Sequence, residues 1–271
     1  IITILCLGID REDDMEVSET DGAGGQADTI FLLVLDSSDQ KLTLISVSRD
    51  TMTEIETRDL YGNYLQNSTA QLALAYAYGD GREESCQLTA DAVSNLFYGL
   101  PIHGYCAINM EAIDLLNDMV GGVEVTIRDD FSQVDPSMKE GTTMVLKGHQ
   151  ATTYVRSRSS VGDGTNEGRM NRQKEYLLGF INQAKSRLKE DLTLPLSVYQ
   201  TLSQYMVTNI SVNEAAYLAA TALDCEFTAD SIRNVNGTTV QGSLYAEYYV
   251  DEDALYELIL DVFYEKLDDA G

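Results

Sequence analysis

The chain has 271 residues, 18 Lys and Arg against 44 Asp and Glu, and a formal net charge of −26. An apolar share of 44% is enough for a substantial core, and the acidic balance argues against nucleic acid as a partner, because a duplex demands a basic face. No run approaches the ~20 consecutive apolar residues that span a bilayer, and Cys6, Cys86, Cys106 and Cys225 show neither C-x-x-C nor zinc-finger spacing.

Short apolar or alternating runs predict strands over residues 2–8, 29–36 and 41–47, the last two joined at Ser37-Ser38-Asp39-Gln40 as an antiparallel hairpin. The chain opens on Ile1-Ile2-Thr3-Ile4, a core-strand pattern without an initiator Met, so its natural N-terminus is expected upstream. From Arg11 to Ala27 the composition reads as an acidic, glycine-rich loop. Helical spacing follows over 69–78 and 87–98, where Leu88, Ala92, Val93 and Leu96 share a face. A strand over 102–109 leads into a helix near 110–119, and Gly121-Gly122 turns the chain into the alternating strand Val123–Ile127.

A short helix near 148–155 precedes a longer one over roughly 167–188, whose Arg169 and Gln173 fall on one face. Helices near 195–207, 211–222 and 251–267 follow, with a strand near 231–236. No Ser/Gly-rich linker or internal repeat interrupts the pattern. Strands interleaved with helices predict an α/β fold: a single domain over 1–271, with a central mixed β-sheet flanked by helices on both faces.

Four arginines, Arg156, Arg158, Arg169 and Arg172, fall within 17 residues of this acidic chain, flanked by Gly162, Gly164 and Gly168. Guanidinium groups keep their charge and match phosphate oxygens two at a time, so the cluster reads as a phosphate or diphosphate site. Arg49 and Asp50 end the third predicted strand. Asp10 ends the first and Asp28 begins the second, so neighbouring strands would bring both carboxylates to one sheet edge, where open α/β sheets bind ligands. Two carboxylates with phosphate oxygens suit magnesium. Other chemistries lack their residues: His103 and His149 are the only histidines and no G-x-S-x-G is present. The P-loop and dinucleotide fingerprints are also missing, and His103 reads as structural.

The order of short motifs resembles the LytR-CpsA-Psr family of bacterial cell-envelope proteins over essentially the whole chain. The motifs are Leu7-Gly8-Ile9-Asp10, Ala27-Asp28-Thr29, Ile45 to Thr51, Ala75 to Gly79, Val120 to Val125, Tyr154 to Arg158, and Gly168-Arg169 to Arg172-Gln173. The resemblance implies magnesium-assisted transfer of a glycan from a polyprenyl-diphosphate carrier onto peptidoglycan. It implies a position on the extracellular face of the cytoplasmic membrane, anchored by an N-terminal transmembrane helix upstream of Ile1. It assigns metal binding to Asp10 and Asp28, and diphosphate contact to Arg49, Arg156, Arg158, Arg169 and Gln173. Asp50, Gln26, Asp163 and Arg172 are expected on the substrate side.

Three positions depart from the family pattern: Gln26 stands where arginine is usual, Ser48 where proline is usual, and Asn166 where aspartate is usual. Gln26 removes a cation from the expected site. A pyrophosphatase with water as acceptor, or a non-catalytic binder of lipid phosphates, would use the same residues.

Overall fold

Alternation buries Leu5, Leu7 and Ile9 on one face of β1 (Ile2–Ile9), and β2 (Ala27–Asp36) and β3 (Lys41–Val47) pair beside it, both antiparallel. The structure, a computed structural model, describes residues 1–11, 15, 24–59, 61–157, 166–243 and 245–265. Contacts divide the chain into two compact units: Ile1–Asn109 with Met206–Ser211 and Arg233–Gly271, and Met110–Tyr205 with Val212–Ile232.

In the first unit, the hairpin β4 (Met52–Arg58) and β5 (Tyr64–Gln71) precedes the short helix α1 (Ala73–Ala77) and then α2 (Glu83–Leu96). β6 (Gly104–Ile108) runs parallel to β1, which makes the sheet mixed. Ile30, Leu32, Ile45 and Val47 join the buried β1 face in one cluster with Tyr76 of α1 and Cys86, Ala90 and Val93 of α2. Burying each large aliphatic side chain contributes roughly 1.5–3 kcal/mol.

In the second unit, α3 (Met110–Met119) leads through Gly121-Gly122 into β7 (Val123–Thr126), paired antiparallel with β8 (Thr143–Leu146). Then come α4 (Gln150–Arg156), the 25-residue α5 (Asn166–Glu190) and α6 (Leu194–Leu202). A second core forms on Val123, Val125, Phe131, Leu146, Tyr154 and Tyr176. Within it, buried Asn117 accepts from the Val123 amide and the Tyr176 hydroxyl and donates to the Leu146 carbonyl.

The chain re-enters the main sheet with β9 (Met206–Thr208), forms α7 (Val212–Asp224) and adds β10 (Ile232–Asn234). It continues with the hairpin β11 (Gly237–Gln241) and β12 (Ala246–Val250), and α8 (Glu252–Phe263). The finished sheet has six strands in the order β10-β3-β2-β1-β6-β9. The α/β class and central mixed sheet are as the sequence predicts.

Three local expectations differ. The helix predicted over 69–78 is β5 up to Gln71 and helical only over Ala73–Ala77. The outer residues of β5 are exposed, so no apolar alternation marks it. The helix predicted near 195–207 stops at Leu202, because Met206–Thr208 pairs with the edge of β6. β8 and the β11–β12 hairpin also escape the pattern. All four cysteines are free, including Cys86 and Cys106. His103 is structural, its Nδ1 accepting the Thr3 amide.

Gly122 has φ +89, and a Cβ there would lie 2.5 Å from Val145 Cγ1 and 2.6 Å from the Leu146 carbonyl oxygen. Gly122→Ala therefore combines left-handed strain with a backbone clash and should cost at least about 2 kcal/mol. A lowered thermal midpoint checks this; an unchanged one would contradict the turn geometry.

Candidate functional site

The β1–β2 register decides which residues meet at one edge of the sheet in the first unit. Gly8 opposes Thr29 and Ile9 opposes Ala27, so Asp28 is the extra residue of a bulge. Bulges re-aim side chains and recur beside active sites. Asp10 and Asp28 thus share one edge, as the sequence suggests, and the Asp10 amide donates to the Gln26 carbonyl at 3.1 Å, which brings Gln26 beside them. The chain leaving β3 delivers Arg49 to the same place.

Arg49 forks across these residues. Its Nη1 pairs with Asp28 Oδ1, and its Nη2 donates to Gln26 Oε1 at 2.7 Å. Its Nε lies 3.7 Å from Asp50 Oδ1. The surrounding backbone is tied as firmly. The Arg49 carbonyl accepts from Ala73 at the start of α1, and the Asp50 carbonyl accepts from Tyr248 of β12. Buried Gln71 donates both to Asp50 Oδ1 at 3.0 Å and to the Ala246 carbonyl at 2.9 Å. Gln71 and Tyr248 carry no sequence signal. They belong to the two hairpins that hydrophobic periodicity misses.

In the second unit, Arg156 ends α4, and Arg169, Arg172 and Gln173 lie on the first turns of α5. Arg172 is buried, 3% exposed, with its guanidinium 5.4 Å over the Phe131 ring. Its Nη1 donates to Asp129 Oδ2 at 2.5 Å, its Nε to the Tyr154 carbonyl at 3.2 Å, and its Nη2 to the Ser157 carbonyl. Gln173 Nε2 donates to the Val155 carbonyl at 3.1 Å. Arg158 and Asp163 lie outside the described residues, as do residues 12–14 and 16–23 of the acidic loop.

The same unit has an unusual apolar distribution. α7 has no buried residue and α6 only Leu202. Leu177, Leu178 and Ile181 of α5, Val198 of α6, and Leu218 and Leu223 of α7 are neither buried nor fully exposed. These three helices pack on one another. No group of three or more metal-ligating side chains occurs among the described residues, and no helix there is long and apolar enough to cross a membrane.

Residues 1–260 match the LytR_cpsA_psr family model. A teichoic acid transferase TagU of Halalkalibacterium halodurans is 31% identical over 182 residues, which are 67% of this chain and 53% of that protein. The chain thus spans about half the length of that relative. The crystal structure of Bacillus subtilis TagV superposes with a TM-score of 0.73 at 22% identity, covering 98% of both chains. A structure of TagT bound to LIIa-WTA gives 0.69 at 20% identity, covering 96% of this chain and 89% of that one. At such identities the structural matches establish a shared fold.

Gln71→Ala should leave the Ala246 carbonyl and one Asp50 oxygen short of a donor, costing about 1–3 kcal/mol. Gln71→Glu, which sets a carboxylate against both acceptors, should cost more. Thermal melts of the two variants check the order.

Proposed function

The chain belongs to the LytR_cpsA_psr family, and from that premise we propose that it is a phosphotransferase which moves a glycosyl-1-phosphate from a polyprenyl-diphosphate carrier onto peptidoglycan. We place this activity on the outer face of the cytoplasmic membrane. The observation that carries the reading is Arg49, a partly exposed guanidinium whose side chain is 30% accessible and whose orientation Asp28 and Gln26 hold. A cation fixed in this way, in a chain of net charge −26, suits an anionic ligand. The TagU relative is named as a teichoic acid–peptidoglycan transferase, which supports this substrate class.

In the proposed reaction an acceptor hydroxyl oxygen attacks the phosphorus that bears the sugar. The bond from that phosphorus to the bridging oxygen breaks, polyprenyl phosphate leaves, and the hydroxyl proton is released. Such transfers depend on positioning and charge stabilisation more than on a protein nucleophile. Arg49 offers a cation to phosphate oxygens, and the family pattern assigns the same role to Arg156, Arg158 and Arg169.

Asp10 and Asp28 fit magnesium by donor type, being two carboxylates at one sheet edge, although one Asp28 oxygen already faces Arg49. Bound there, the ion would neutralise diphosphate charge. The partly exposed apolar side chains of α5, α6 and α7 suit the hydrocarbon of the carrier, since apolar surface left open to water favours an apolar ligand.

Turnover of a short polyprenyl-diphosphate-linked sugar, with peptidoglycan fragments as acceptor, tests the proposal. Release of polyprenyl phosphate should require magnesium and fall on the order of 10²–10³ in Arg49→Ala and Arg156→Ala. Asp28→Ala should lose the response to magnesium. Tight binding without release would overturn the enzyme reading in favour of a lipid-phosphate binder, and free sugar phosphate without conjugate would indicate a hydrolase.

A further inference from the structure

We propose that Arg172 is a positioning residue that fixes the end of α4, and with it Arg156, instead of touching the ligand itself. The inference begins with the helix terminus. α4 has seven residues, Gln150–Arg156, and is capped by Ser157, whose ψ of 134 leaves the helix. The Ser157 amide donates to the Thr153 carbonyl, and a helix leaves its last carbonyls without intrahelical donors. Two consecutive residues of α5 replace those donors. Arg172 takes the Tyr154 and Ser157 carbonyls, and Gln173 takes the Val155 carbonyl. A cation at a helix C-terminus also complements its dipole.

The remaining geometry commits Arg172 inward. Asp129 neutralises its charge from Nη1, and Phe131 lies under its face while stacking on the Tyr154 ring at 5.6 Å. A buried charge is tolerable only with such pairing. All three nitrogens of the guanidinium are engaged, and at 3% exposure the side chain is held away from solvent. Its neighbour Arg156 occupies the last turn of the helix that Arg172 holds. Lysine cannot reproduce this contact, because a single ammonium does not fork across three acceptors.

The inference rests on the proposed reading that Arg156 binds a diphosphate, so two measurements are needed. Hydrogen exchange of the segment 150–157 reads the clamp itself. Calorimetric titration with farnesyl diphosphate reads its consequence, in the wild-type chain, Arg156→Ala, Arg172→Lys and the double variant. All are compared at a temperature where circular dichroism shows them folded. Asp129→Asn, which loosens the same guanidinium without removing it, serves if Arg172→Lys fails to fold.

Arg172→Lys should speed exchange in 150–157 and weaken binding about tenfold, yet change it less than twofold when Arg156 is already alanine. Unchanged exchange would overturn the clamp. An equal loss of affinity in both backgrounds would make Arg172 an independent contact, and faster exchange with unaltered affinity would make it structural only. Both outcomes overturn the proposal. Failure of the wild-type chain to bind farnesyl diphosphate would sink the functional reading, and with it the ligand half of this inference, while exchange still decides the clamp.

Discussion

Antiparallel pairing of β1, β2 and β3 is the constraint on which the first unit depends. Leu7, Ile30 and Val47 align across the three strands and carry the core. Because side chains alternate with period two, a slip of one residue would turn that row to the opposite face. Core burial therefore fixes the register, and the register in turn fixes which residues leave the sheet together. The bulge at Asp28 is the one local exception. It inserts a carboxylate at the strand end and shifts the register only between Gly8 and Ile9, so the rows from Ile2 to Gly8 keep one alignment.

Charge acts differently in the two units. Arg49 retains partial exposure while its fork is oriented by Asp28 and Gln26. Arg172 has almost none, and its donors close the end of a helix. The same side chain thus serves two purposes, decided by burial and by which acceptors are in reach. A partly exposed, oriented guanidinium remains available to a ligand. A buried one transmits order to its neighbours.

Much of this was legible in the sequence, for identifiable reasons. The first three strands are legible because their apolar rows are buried on one side. Asp10, Asp28 and Arg49 then follow as residues at the strand ends. The β4–β5 and β11–β12 hairpins are not legible, because backbone pairing holds them with few buried side chains. Gln71 and Tyr248 are hidden with them, although they brace the Arg49 segment. Arg156 and Arg172 are indistinguishable by composition. Only the tertiary positions of Asp129, Phe131 and the α4 carbonyls separate them.

Gln26 shows how an uncharged side chain can order a charged one. An arginine at this position would add a cation to the sheet edge, but it would also face Arg49, and two guanidinium groups repel. Glutamine instead offers Oε1 to Arg49 Nη2 and completes, with Asp28, a fork whose two arms are both held. The edge then has one fewer cation for an anionic ligand, while the cation it keeps has less freedom to lose on binding. Orientation of this kind reduces the entropic cost of ligand contact. Fewer charges better held would favour a ligand whose phosphate oxygens match the Arg49 fork over one attracted by net charge alone.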